Sequence, residues 1–243
     1  LYELDTSAVI DNIRRINQGA QVSFSFTIIE GQPLRDVVAN IQKQAHLSQD
    51  LDTENLATQI SNTQENLEGW LFPDTYHYHS EDSASGLLKR AYSKMQQELD
   101  AAWQTRAPDL VLSSPYEALI LASIIEKETG LASERPLISA VFTNRLKTNM
   151  RLQTDPTVIY GIGADFDGDI KRKDLTTYTP YNTYKIKGLP PTPIAMPSKA
   201  ALLAAVNPPQ SEFIYFVAKG DGSHQFSKTL QEHNRAVKQY QLN

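Results

Sequence analysis

Cysteine is absent from the 243 residues. Neither a disulfide nor a thiol nucleophile can therefore take part in what the chain does, and its redox compartment stays open. An excess of basic residues is lacking too: 23 Lys and Arg stand against 28 Asp and Glu, a formal net charge of −5. Binding a phosphate backbone needs a basic face, so nucleic acid is excluded as the main partner. No apolar run approaches the roughly 18 residues that span a bilayer. Glycine-rich phosphate loops, G-x-S-x-G elbows, H-E-x-x-H pairs, internal repeats and low-complexity tracts are missing as well. What remains is an ordinary globular composition, 40% hydrophobic and 21% charged, with chain enough for one large domain or two small ones. The sequence opens at Leu1 without methionine or signal peptide, as a fragment would, and an N-terminal anchor would then lie upstream of it.

The most informative stretch runs from Tyr116 to Gly130. Between Ala118 and Ile125 only Ser123 is polar, a pattern hydrophobic on every side that predicts a helix buried in a core. Glu126 sits in its last turn, ahead of Thr129 and a stop at Gly130. Carboxylates are disfavoured at the negative end of a helix, and partial burial acts in the same direction. A glutamate kept protonated near neutral pH suits a general acid. Lys127 could equally neutralise either neighbour and leave a solvated helix end. Two residues apart, the glutamates project to different sides, so only one can line a given cleft. Glu126 continues the stripe of Leu119, Ala122 and Ser123, and Glu128 that of Leu121, Ile124 and Ile125; periodicity does not choose between them.

Along the rest of the chain, Val9, Ile10, Ile13 and Ile16 predict a short helix ending at Gly19. Val22, Phe24 and Phe26 alternate with polar residues and predict a strand. A turn through Gly31 and Pro33 leads to a helix faced by Leu34, Val37, Val38 and Ile41. This strand, turn and helix is also how a LysM-type carbohydrate-binding module begins. Residues 47–66 read as a polar helix, and Glu68 to Tyr76 as an aromatic loop whose Trp70, Phe72 and Tyr76 either stack on sugars or cement a domain boundary. Helices are predicted over 83–104, 115–128, 134–147 and 198–206, with loops between Met150 and Pro197. Phe213–Ala218 and Ser223–Phe226 form a hairpin around Asp221-Gly222, and a helix closes the chain from Lys228.

Gln153 and Asp155 stand two apart in backbone expected to be extended ahead of Pro156, so both would face one way, toward sugar hydroxyl and acetamido groups or into a turn. Tyr178 to Tyr184 offers aromatic faces and the Asn182 amide to a groove. Asp165 to Asp169 resembles a calcium loop but has Ile170 and Thr176 where glycine and glutamate are required. His77 and His79 lack a third ligand nearby. Neither segment calls for a metal, and no cofactor is expected.

Several segments in one order resemble the endolytic murein transglycosylases of the MltG, or YceG-like, type. They are Glu68-Gly69 with Phe72-Pro73-Asp74-Thr75, Ala122 to Thr129, Asn144-Arg145-Leu146, Leu152 to Gly161, Tyr181 to Tyr184, Gly188 to Pro191, and Gly222, His224 and Phe226 before His233-Asn234. The resemblance implies an α+β protein: a small LysM-like domain over residues 1–76 and a mixed α+β catalytic domain over 77–243. It implies cleavage of peptidoglycan glycan strands between N-acetylmuramic acid and N-acetylglucosamine, leaving 1,6-anhydro ends. Glu126 would be the catalytic acid, with Glu128, Ser123, Gln153, Asp155, Tyr160, Tyr181, Asn182 and Tyr184 binding the strand. It further implies a single-pass anchor preceding these residues, action on the periplasmic face of the inner membrane, a role in strand-length control, and partnership with a cell-wall synthase of the penicillin-binding type. A hydrolase using water and a non-catalytic peptidoglycan-binding module are the competing readings.

Overall fold

Strand β1 (Phe24–Thr27) is the first described element; the computed structural model describes residues 22–61 and 66–242. Helices α1 (Leu34–Ile41) and α2 (Leu56–Ser61) follow, and β2 (Thr75–Tyr78) returns antiparallel to β1, with Phe24 opposite Tyr78 and Thr27 opposite Thr75. The chain then runs through α3 (Ala84–Gln104), α4 (Pro115–Glu128), α5 (Arg135–Lys147), α6 (Asp155–Ile162), α7 (Arg172–Thr176) and α8 (Lys199–Val206). A second antiparallel ribbon pairs β3 (Tyr215–Ala218) with β4 (His224–Ser227), and α9 (Leu230–Gln241) packs on it. The architecture is α+β, mostly helical.

Two apolar cores are joined by one long helix. The first gathers Phe26 and Ile28 near β1, Val37 and Ile41 of α1, Tyr76 and Tyr78 of β2, and the first half of α3 through Leu87, Leu88 and Ala91. The second surrounds α4 and takes Met95, Leu99 and Ala102 from the other half of α3. At 21 residues, α3 is about 30 Å long, enough to serve both. Trp70 packs against both cores, and Phe72 and Tyr76 are buried, so the aromatic loop cements the junction. There Gly69 adopts φ 81°, and a Cβ on it would lie 2.5 Å from Cβ of Pro193. Only glycine fits that approach.

All of Ala118–Ile125 in α4 is buried, as the unbroken apolar run requires. A buried Leu or Ile contributes about 2 kcal/mol, so the aliphatic side chains of α4 contribute on the order of 10 kcal/mol before chain entropy is counted. Ser114 caps its N-terminus by accepting from Glu117 N at 3.2 Å, with Pro115 in the first turn. At the other end the helix stops at Thr129, which is extended (φ −146°) and whose hydroxyl accepts the Leu131 N–H at 3.0 Å. The expected left-handed glycine at 130 is not used.

Other expectations are also corrected. Residues 151–157 are not extended throughout: Gln153 turns through the left-handed region (φ 50°) and α6 begins at Asp155. Pro156 lies in the first turn, where its missing N–H costs nothing, so the proline starts a helix instead of forbidding one. Gln153 and Asp155 therefore converge through a turn, not through strand alternation. The stretch read as loops also contains α7, and within 47–66 the described helix is only α2. The helix expected over residues 1–20 lies outside the described residues.

Candidate active site

The two glutamates at the end of α4 face different surroundings. Glu126 is locked: Arg135 Nη2 donates to its Oε1 at 2.9 Å, while its Oε2 accepts from Ser198 N at 2.9 Å and from the Ser198 hydroxyl. Its side chain is 5% exposed and that of Arg135 10%. Ser198 also caps α8 by accepting from Ala201 N, so Glu126 lies behind a helix N-terminus, where negative charge is favoured. A cleft lined by Thr27, Pro73 and Asp74 touches Glu126, but both carboxylate oxygens are already engaged.

Glu128 instead lines a cavity of about 520 Å³ between α4, α6, the β3–β4 ribbon and α9. Burial pushes its carboxyl up to about 7 and the Asp155 charge adds to the rise; a hydrogen bond from the Thr154 hydroxyl and the nearby His224 and Arg145 oppose it. A substantial fraction of such a group carries its proton at neutral pH, and the end of α4 contributes the unfavourable pole of its dipole. The carboxyl raised at this end of α4 is that of Glu128, whereas the sequence reading set the acid at Glu126.

Asp155 and Gln153 share the cavity with it, and the Tyr184 hydroxyl donates to Asp155 Oδ1 at 2.6 Å. Burial holds Tyr184 above the usual phenol range. Arg145 reaches in from α5, its Nε donating to Ile214 O at 2.7 Å and its guanidinium lying 5.4 Å from the centre of the Tyr215 ring. On the far wall His233 stacks on Tyr215 at 5.1 Å, and burial pushes its imidazole down, so it is neutral at pH 7. Amide, carboxylate, phenol and imidazole groups thus surround one proton-bearing carboxyl, an arrangement able to protonate a leaving oxygen and hold hydroxyl groups. Among the described residues no group of three or more His, Asp or Glu could hold a metal ion.

The remaining residues singled out from sequence lie elsewhere. Ser123 is wholly buried, donating to Ile120 O and accepting from Ile194 N. Asn182 is also wholly buried: its Nδ2 donates to Asp174 O and Thr177 O, and its Oδ1 accepts from Tyr184 N. It shapes the loop that carries Tyr184 and does not reach the cavity. Tyr160 and Tyr181 pack edge to face and line a different groove beside α1, where the Tyr160 hydroxyl donates to Glu68 at 3.0 Å. Glu68, buried and also accepting Leu34 N at 2.9 Å, is raised to about 7 by burial. No role is legible in sequence for Arg145, Thr154 or Glu134; the fold sets the first two on the cavity wall and the third against His224.

Fold and site together define a helical α+β protein with one poised acid in a polar cavity. The YceG-like family model matches residues 1–239, and the chain belongs to that family. It is 34% identical over 260 aligned residues to the endolytic murein transglycosylase of Bacillus subtilis, covering 98% of this chain and 72% of that protein. Its identity to the endolytic murein transglycosylase of Streptococcus pneumoniae strain D39 is 30%, over 84% of this chain and 38% of the pneumococcal one. The crystal structure of a yceG-like protein from Listeria monocytogenes superposes with a TM-score of 0.70 at 32% identity, covering 96% of this chain and 83% of that one.

Proposed function

We propose that the protein is an endolytic lytic transglycosylase that cuts peptidoglycan glycan strands between N-acetylmuramic acid and N-acetylglucosamine. Glu128 is its acid. The observation that carries this reading is a carboxyl at about 7 on the wall of an open polar cavity, while Glu126 is closed in by Arg135 and Ser198. Protonated Glu128 donates to the departing glycosidic oxygen as the C1–O bond breaks. The muramic 6-hydroxyl then attacks C1 and gives its proton to the Glu128 carboxylate, which closes the 1,6-anhydro ring and restores the acid. Asp155, held by Tyr184, lends negative charge to the oxocarbenium-like state, and Gln153 offers its amide to the sugar. One acid suffices for this scheme, whereas hydrolysis with inversion or retention uses two carboxylates.

The test is mass analysis of fragments released from purified strands. Wild type should leave anhydromuramic ends, and Glu128→Gln should lower the rate by at least about a hundredfold, the lower end of what general acids supply. Full activity of that variant would overturn the assignment. The second reading, a hydrolase with Asp155 as the other carboxylate, is kept alive by the presence of Asp155 in the same cavity; reducing ends would select it. Tight strand binding without any cleavage would select a binding module.

The β1–α1–α2–β2 order supports reading the N-terminal part, residues 1–76 by the sequence division, as a LysM-like glycan-binding domain ahead of a catalytic domain over 77–243. β2 pairs with β1 as far as Tyr78, which supports extending the proposed N-terminal domain to residue 78. Substitution of Arg35 on the groove beside α1 should then weaken strand affinity and leave kcat unchanged. Among the described residues no helix is long and apolar enough to cross a membrane. We further propose that the enzyme works on the periplasmic face of the inner membrane, anchored by a preceding segment and beside a penicillin-binding synthase, to set strand length. Longer strands in walls of cells carrying Glu128→Gln would test that role.

A further inference from the structure

One pair of side chains at the cavity is not used by this scheme. Glu134, at the N-terminus of α5, accepts twice from the first residue of β4: His224 N donates to Oε1 at 2.9 Å, and His224 Nδ1 lies 2.7 Å from Oε2. The two side chains are 12% and 11% exposed. A carboxylate can only accept, so Nδ1 carries a proton, and it is Nε2 that holds the lone pair whenever the ring has a single proton. Phe216 meets the ring edge to face at 5.4 Å, which fixes its plane. Among the described residues no hydrogen bond engages Nε2. The ring lines the same cavity as Glu128, and Nε2 is its remaining polar atom.

A carboxylate that fixes the tautomer and tilt of an imidazole, leaving the other nitrogen open to a reaction space, is the arrangement that makes histidine a general base. Resting on the transglycosylase reading, we propose that His224, positioned by Glu134, is a second proton-transfer residue of this site. Its Nε2 takes the proton of the muramic 6-hydroxyl as that oxygen bonds to C1, while Glu128 protonates the departing oxygen. The C1–O bond to the leaving sugar breaks, the C1–O6 bond forms, and the imidazolium passes its proton to the Glu128 carboxylate. No proton is gained or lost over the cycle. The division of labour answers a physical difficulty: a lone buried glutamate must first be a good acid and then, within one turnover, a good base.

The charged and titratable groups that line the cavity with His224 are Glu128 on α4, Arg145 on α5, Asp155 on α6, Tyr184 in the preceding loop, Tyr215 on β3 and His233 on α9, while Glu134 bonds the ring from the start of α5. Any change in pH profile must therefore be traced to one of them by substitution. The experiment measures kcat, KM and their pH dependence on purified glycan strands, with end-group mass analysis, for wild type, His224→Gln, Glu134→Gln and Glu128→Gln. His224→Gln should lower kcat by about a hundredfold or more, leave KM within a few-fold, still give anhydro ends, and abolish one limb of the kcat profile. Glu134→Gln should lower kcat less and move that same limb. Free imidazole should restore part of the rate to His224→Ala. If His224→Gln keeps kcat within threefold with an unchanged pH profile, Glu128 acts alone and the proposal falls. Equal loss in both dyad variants with an unaltered profile and a lowered Tm marks the pair as structural and overturns it equally. Failure of the underlying reading is separate: it shows as an active Glu128→Gln or as reducing ends from wild type.

Discussion

Replacing Glu126 by Gln distinguishes a structural clasp from a catalytic acid, because the isostere removes the charge and keeps the volume. In the fold Glu126 accepts from donors on both oxygens, Arg135 on one and the Ser198 backbone and hydroxyl on the other. A glutamine presents one acceptor and one NH₂, so one side of the clasp must set donor against donor. The Arg135 guanidinium also loses its counter-ion with a side chain only 10% exposed, and its Nε has no hydrogen-bond partner among the described residues. Breaking a buried ion pair from one side costs about 3–5 kcal/mol. The amide recovers part of the hydrogen bonding, which leaves about 3 kcal/mol. For a chain of this size 1 kcal/mol corresponds to about 2–4 °C, so Tm should fall by about 6–12 °C. Thermal denaturation followed by circular dichroism reads that shift. Activity at 20 °C, where the variant is still folded, should stay within a few-fold of wild type per folded molecule. An unchanged Tm with turnover lost a hundredfold would refute the reasoning and return the acid to Glu126.

Two further outcomes follow from the buried polar groups. Glu68→Gln should leave stability at pH 4 unchanged and raise it at pH 8 by up to about 3 kcal/mol. The raised native carboxyl, about 7 against 4.5, holds stability that is complete below the unfolded value and is lost as pH rises toward 7; unlike the clasp at Glu126, the amide can donate to the Tyr160 oxygen. Denaturant titrations at the two pH values check this, and equal midpoints for both proteins at pH 8 would refute it. Asn182→Ala should cost about 3 kcal/mol by stranding the carbonyls of Asp174 and Thr177, with KM for glycan strands nearly unchanged at low temperature; a tenfold rise in KM without a fall in Tm would make Asn182 a sugar ligand after all.

The elements legible in sequence are those whose cause is local. The apolar run of Ala118–Ile125 requires a buried helix wherever it is placed, and α3, α5, α8 and the Asp221-Gly222 hairpin likewise carry their periodicity or turn chemistry within a dozen residues. Less legible was α6, because Pro156 reads as a break until the first turn of a helix is seen to need no N–H from it. The composition limits, the exclusion of thiol and phosphate-loop chemistry, and the motifs that carry the family resemblance also needed no fold.

Tertiary structure alone decided which glutamate is closed and which is open. Glu126 and Glu128 differ by two positions on one helix, and their intrinsic chemistry is the same. What separates them is who stands opposite: Arg135 and the start of α8 on one side, a polar cavity walled by β3, β4 and α9 on the other. The same holds for Asn182, a plausible ligand by type that folds inward as a loop staple, and for His224, paired with Glu134 from 90 residues away. Periodicity reports which side of an element a residue is on; the partners that set its charge and its access to substrate arrive through contacts remote in sequence. The physical reason is that desolvation and ion pairing depend on distances of a few ångströms between segments that the chain order leaves unconstrained.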